Sequence, residues 1–177
     1  MGKRSFIPSI GPVKGKILAK VVQDKKPKRI LEVGALYGYS AILMAKNAPG
    51  AEVITVEKSA ENARITLNNV KRAGLEGRIK VIDGDGTEVL SRLEGSFDLV
   101  FLDANKGEYL SYLKAVEKKL PKGGVVVADN VGIFKNEMLD FLDYVRNKGQ
   151  YKSRTVETLL EFSSTEKDAM EISEKLS

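Results

Sequence analysis

Five short apolar runs alternate along this chain with longer segments of helical period, and each run ends in a glycine or an acid. The runs are Arg29-Ile-Leu-Glu-Val-Gly34, Glu52-Val-Ile-Thr-Val-Glu57, Arg78 to Asp83, Phe97-Asp-Leu-Val-Phe-Leu-Asp103 and Gly124-Val-Val-Val-Ala-Asp129. Between them, Ser40 to Lys46, Ala60 to Ala73, Thr87 to Leu93 and Tyr109 to Leu120 read as helices. Gly74 suits the end of the second of these, and Pro121 stops the fourth. A helix over Gly15 to Val22 precedes the first run, and one over Glu137 to Asn147 follows the fifth. Such alternation specifies βαβ units and a parallel sheet, whose strands are nearly all apolar because both faces are covered. Two last strand-like runs, Thr155–Phe162 and Ala169–Ser173, have no helix between them and so form an antiparallel hairpin. The expected fold is α/β: a doubly wound, Rossmann-like sheet of seven strands, mostly parallel, with the hairpin at its edge. Its 177 residues suit one domain, 1–177, and its ligand site belongs beyond the C-terminal ends of the strands.

Composition narrows the chemistry. The chain has no histidine, no cysteine and no tryptophan. Thiolate nucleophiles, disulfides, Cys/His zinc sites and imidazole bases are therefore excluded. Carboxylates, amides, hydroxyls and lysines remain. No signal-peptide pattern and no apolar run of the ~20 residues that span a bilayer is visible, so a cytoplasmic protein with no membrane partner is expected. The net charge of +5 is unevenly spread. Residues 1–29, the basic N-terminal segment and first helix, hold nine Lys and Arg against Asp24 alone, a net of +8. The rest holds 20 basic and 23 acidic residues, a net of −3. Such a run is either a solvated helix face or an electropositive arm for RNA, a phosphorylated carrier or a coenzyme A ester.

The strand ends carry the candidate site. Gly34 and Gly38 lie in the first strand-to-helix turn, where glycine lets backbone approach a ligand. The spacing is neither the dinucleotide fingerprint nor a P-loop, which argues against a dehydrogenase. Glu57 follows the turn by about the distance at which a carboxylate holds a ribose diol; a helix-start glutamate would look the same. Asp83-Gly-Asp85-Gly86 is either an acid near an adenine amino group or a plain Asp-Gly turn. Asp103, Asp129 and Asn130 fall at neighbouring strand ends, where three oxygen donors suit a hard cation such as Mg²⁺. Each could instead cap the next helix. Lys106 follows Asp103 by three residues. A lysine beside a dication releases its proton more readily, which suits a base.

Ile30-Leu-Glu-Val-Gly-Ala-Leu-Tyr-Gly-Tyr-Ser-Ala41, Phe101-Leu-Asp-Ala-Asn-Lys106 and Ala128-Asp-Asn-Val131 together resemble the cation-dependent O-methyltransferases. That family includes the catechol and caffeoyl-coenzyme A enzymes and bacterial relatives acting on tRNA hydroxyuridine. The resemblance runs from about Ile10 to the C-terminus. It implies that Ile10, Glu32, Gly34 and Ser40 contact S-adenosylmethionine, the last three at its methionine part. It further implies that Glu57 holds the ribose and that Asp85 and Gly86 lie by the adenine. Asp103, near the methionine end, would bind Mg²⁺ or another divalent cation with Asp129 and Asn130. Lys106 would be the general base. Lys106, Asn130 and Glu161 would meet the substrate, Glu161 at a second hydroxyl. Ala104 and Asn105 depart from the bulky ring-bearing residues of the catechol enzymes, and the segment before Ile10 is shorter than the helical cover that family members carry. The resemblance thus implies methylation of one hydroxyl of a chelated small-molecule diol or phenol. A tRNA hydroxyuridine acceptor held by the basic segment and a non-catalytic S-adenosylmethionine-binding protein are the alternatives. A homodimer could supply the missing cover.

Overall fold

A computed structural model of the chain describes residues 9–161 and 163–177. Residues 1–8, the start of the basic segment, and Phe162, the end of one expected strand, lie outside the described residues. The elements are α1 Gly11–Lys25, β1 Arg29–Val33, α2 Tyr39–Asn47, β2 Glu52–Glu57, α3 Ala60–Arg72, β3 Ile79–Asp83 and α4 Gly86–Arg92. They continue with β4 Leu99–Leu102, α5 Tyr109–Val116, β5 Val125–Ala128, α6 Leu139–Asn147, β6 Tyr151–Leu159 and β7 Lys167–Lys175. One seven-stranded sheet has the order β3-β2-β1-β4-β5-β7-β6. β1 to β5 pair in parallel, and β7 runs antiparallel to both β5 and β6.

Period-two alternation along each strand divides the core into two layers. Leu31, Val33, Ile54, Val56, Val100, Leu102 and Val126 pack against α4, α5 and α6. Ile30, Val53, Leu99, Phe101, Val125 and Val127 face α1, α2 and α3. Both faces are covered, as the unbroken apolar runs required. The exception is Glu32, fully buried on the second face and paired in register with Thr55.

Differences from the sequence expectations have local causes. α1 starts four residues early, at Gly11, because Pro12 pre-sets the first turn. α5 ends at Val116, and a short 3₁₀ turn over Glu117–Lys119 finishes the stretch expected to be helical. β6 starts at Tyr151, earlier than the run from Thr155. It is the sheet edge, and its many exposed polar residues hide the strand signal. Among the described residues, no helix is long and apolar enough to cross a membrane.

The chain leaves β1 for β2 on one side and later returns to β4 on the other, so strand order reverses between β1 and β4. Clefts form at such a reversal. Gly34 sits there with φ +99°, and a Cβ on it would lie 2.1 Å from the Asp103 carbonyl oxygen. Gly34→Ala should cost ~3 kcal/mol or more through strain and overpacking. In a thermal melt this is a fall of roughly 10 °C. Gly50→Ala, where a Cβ meets nothing within 4 Å, should leave the melt unchanged.

Candidate functional site

A cavity of about 1150 Å³ opens beyond the ends of β1, β2, β4 and β5. Of the residues singled out from the sequence, Ile10, Gly34, Ser40, Glu57, Gly86, Asp103, Lys106 and Asn130 line it. Glu32, Asp85, Asp129 and Glu161 do not.

The wall after β1 is a backbone loop clamped by α3. Leu36 has φ +49° and Gly38 φ +83°, so the chain curls tightly between them. The Leu36 amide donates to Glu57 Oε2 at 2.8 Å, and the Ser59 amide donates to Oε1 at 2.9 Å. Thr66 Oγ1 donates to the Leu36 carbonyl and Asn69 Nδ2 to the Tyr37 carbonyl. Glu57 therefore shapes the loop as well as lining the cavity. Asp85 is not itself among the residues lining the cavity. Its Oδ1 caps α4 by accepting from the Thr87 amide at 3.1 Å, and its Oδ2 pairs with Lys58 at 2.9 Å. The glycines flanking it, Gly84 and Gly86, form the lining.

Glu32 lies beneath this wall. Its Oε2 accepts from Thr55 Oγ1, while its Oε1 accepts no hydrogen bond among the described residues. Burial pushes its carboxyl up to about 7, the Ser40 and Thr55 hydroxyls pull it back, and the charges of Asp103 and Glu57 add to the rise. The folded value lies above the ordinary 4.5, so ionising Glu32 costs stability. The protein is favoured below about 4.5 and loses that advantage as pH rises to about 7.

The opposite wall carries the polar machinery. Leu102 of β4 and Ala128 of β5 pair in register, so Asp103 and Asp129 leave the sheet side by side, with Asn130 next. Lys106 Nζ donates to Asp103 Oδ1 at 2.9 Å and to the Tyr109 hydroxyl at 3.0 Å. The buried Tyr109 hydroxyl in turn donates to the Asp129 carbonyl at 3.2 Å. Phe134 stands over this group, its ring centroid 6.0 Å from Lys106 Nζ.

The tightest acidic trio among the described residues is Asp129, Glu161 and Asp168, with ligand atoms all within 4.8 Å of one another. Asp103 falls outside it. Lys14, 1% exposed, occupies the trio: its Nζ is 2.8 Å from Asp129 Oδ1 and 2.5 Å from Asp168 Oδ2, and it also pairs with Glu161. Asp129 Oδ1 also accepts from the Asn130 amide at 2.7 Å, which leaves Oδ2 as its uncommitted oxygen. Burial and the Asp103 charge push Asp129 up to about 7, against the pull of Lys14. Burial opposes ionisation of Asp168 as well, but Lys14, the Ile133 amide and Asn130 hold it below the ordinary carboxylate value.

Sequence reasoning missed Lys14, Tyr109 and Asp168. Lys14 carried a signal: with Leu18, Val21 and Val22 it lies on the apolar stripe of α1. A lone lysine on such a stripe needs a buried partner. Asp168 carried none, since its partners come from distant segments, and Tyr109 carried only its position three residues after Lys106.

The chain resembles known proteins along most of its length. It is 36% identical to catechol O-methyltransferase B of Danio rerio over 171 residues, covering 92% of this chain and 64% of the relative. It is 35% identical to catechol O-methyltransferase of Bos taurus over 162 residues, covering 87% of this chain and 59% of the relative. The chain thus spans about three-fifths of the length of these two relatives. The crystal structure of an O-methyltransferase from Bacillus cereus, in complex with SAH, superposes with a TM-score of 0.86. It is 26% identical and covers 96% of this chain and 84% of that one. The family model described as O-methyltransferase matches residues 5–165, and with the strand-end residues where that fold carries its cleft, the chain belongs to the O-methyltransferase family.

Proposed function

We propose that the protein transfers the methyl group of S-adenosylmethionine to one hydroxyl of a small vicinal diol or catechol-like phenol chelated by a divalent cation. The observation that carries this is one cavity walled on one side by the Gly34–Ser40 loop and Glu57, and on the other by Asp103, Lys106 and Asn130. The relatives named as catechol O-methyltransferases and the SAH complex of the Bacillus cereus enzyme support it.

The residues fit both groups. Glu32 Oε1 is a buried acceptor that takes no hydrogen bond among the described residues, and a methionine ammonium is a donor of the right charge. Asp103, Asp129 and Asn130 offer oxygens only, which suits Mg²⁺. Bound there, the sulfonium would supply the methyl group and the cation would acidify the acceptor hydroxyl. The chain's own residues do the rest. Glu57 and the curled loop hold the nucleoside end. Lys106 takes the proton from the acceptor hydroxyl, and Tyr109 aims Lys106 by accepting from its Nζ. Glu161, which lies outside the cavity lining and pairs with Lys14, would meet the second hydroxyl only by exchanging that partner for it. Phe134 and Tyr39, both partly exposed at the cavity, shield the reacting atoms from water.

The relatives named as catechol O-methyltransferases favour a small acceptor over RNA, and part of the basic segment is already engaged within the protein. Lys14 is buried, and Lys20, Lys25 and Arg29 pair with Asp24, Glu174 and Glu52. Among the described residues, Lys16, Lys26 and Lys28 make no ion pair, so the charge of this segment is tested directly by salt. Turnover of a catechol should change little between 50 and 200 mM salt. A steep, log-linear loss of binding to tRNA over the same range, with methyl transfer to it, would point to RNA instead.

Lys106→Ala should lower kcat by about 10²–10⁴-fold while S-adenosylmethionine affinity stays within about threefold. An unchanged kcat removes Lys106 as the base. Glu32 yields a separate test, made by calorimetry without metal. Its proton must leave before it can accept from an ammonium, so S-adenosylmethionine affinity should fall by up to tenfold from pH 7 to pH 6. Glu32→Gln should bind about tenfold more weakly at pH 8 and lose this pH dependence.

A further inference from the structure

Asp168 lies at the start of β7, outside the cavity lining, with a fully buried side chain. Four donors converge on its two oxygens. Oδ1 accepts from the Gly132 amide at 3.2 Å and the Ile133 amide at 3.0 Å. Oδ2 accepts from Lys14 Nζ at 2.5 Å and from Asn130 Nδ2 at 2.8 Å. The next residue continues the pattern: the Val131 amide donates to the Ala169 carbonyl at 2.9 Å. The turn after β5 thus hangs from Asp168 and Ala169 of β7.

The bond to Asn130 has a chemical consequence. A carboxamide has a donor end and an acceptor end, and rotating it by half a turn exchanges them. An ionised carboxylate can only accept, so it takes the NH₂ end and turns Oδ1 the other way. Asn130 also sits at φ +60°, the left-handed region that asparagine tolerates better than most residues. Asn130 lines the cavity and its Oδ1 accepts none of the described hydrogen bonds. That oxygen is the only atom of the side chain able to ligate a hard cation.

We propose that Asp168 is the positioning residue of the cation site: through Asn130 Nδ2 it fixes the amide so that Oδ1, and not NH₂, faces the cation. This rests on the proposed role of Asp103, Asp129 and Asn130 as ligands. Asp168 does not itself touch the cation. Lys14 shares its Oδ2 and draws α1 against the same carboxylate.

The test is Mn²⁺ binding followed by electron paramagnetic resonance, with no turnover required. Asp168→Asn replaces an acceptor by a donor opposite Asn130 Nδ2 and Lys14. It should weaken Mn²⁺ binding by about 10–100-fold, the size seen when a ligand loses its outer partner. Removing a negative charge could do the same without any positioning, and a double-mutant cycle separates the two. In an Asn130→Ala background, Asp168→Asn should change Mn²⁺ affinity by less than about threefold. Equal losses in both backgrounds overturn the proposal, as does wild-type affinity in Asp168→Asn. Asp168→Glu keeps the charge and shifts the oxygens by one methylene. A tenfold loss there supports positioning, and unchanged affinity overturns it. Melting curves and metal-free S-adenosylmethionine binding check that each variant is folded. If Asp168→Asn fails that check, Asp168→Glu decides. If the folded wild type binds no Mn²⁺, the cation reading itself fails and takes this proposal with it.

Discussion

The Lys14 ammonium is the point on which the polar half of this structure turns. It joins α1 to the end of β5, to the stretch after β6 and to the start of β7, closing contacts across as many as 154 residues. Burying such charges costs several kcal/mol each before any attraction is counted. Lys14 alone cannot balance three carboxylates. The remainder is met by hydrogen bonds: the Asn130, Gly132 and Ile133 amides and the Asn130 side chain all donate into the cluster. The cluster therefore holds only if α1, the β5 turn and the hairpin are all in place. Removing any one leaves a buried charge without a partner.

The sheet supplies the other constraint. Parallel pairing of β4 with β5 in register puts Asp103 and Asp129 side by side, and the reversal between β1 and β4 opens a cleft beside them. The Gly34 backbone passes so close to the Asp103 carbonyl that no side chain fits between them. The loop after β1 is thereby pressed against the acidic rim. Two chemistries that must meet, a sulfonium and a hydroxyl, would share one cavity because two strands share one edge of that reversal.

Electrostatics in the site are set by burial more than by charge count. Glu32 and Asp129 are both pushed up to about 7, chiefly because they are removed from water. Asp168 is as enclosed in side-chain terms, yet it is held low because four donors point at it. Among the described residues, Glu32 and Asp129 each keep one oxygen uncommitted, whereas both oxygens of Asp168 are taken. That contrast separates the groups proposed to meet ligands from the group proposed to orient them.

Much of this was legible in the residues. The alternation of apolar runs and helical stretches determined a mostly parallel sheet, and the absence of histidine and cysteine determined an all-oxygen donor set. The strand ends named the cavity wall at Gly34, Ser40, Glu57, Asp103, Lys106 and Asn130. These are largely local facts, because the loops that leave the C-terminal ends of parallel strands border the cleft. What only the tertiary structure decided is which way those side chains turn. Asp85 could cap a helix or face a ligand, and in the fold it caps α4 through the Thr87 amide and pairs with Lys58. Lys14 was one charge in a basic segment until α1 packed it among three acids. Asn130 could present either end of its amide until Asp168 took one. Hydrophobic period depends on neighbours three or four residues away, whereas a hydrogen bond's direction depends on whichever atom the fold brings to meet it.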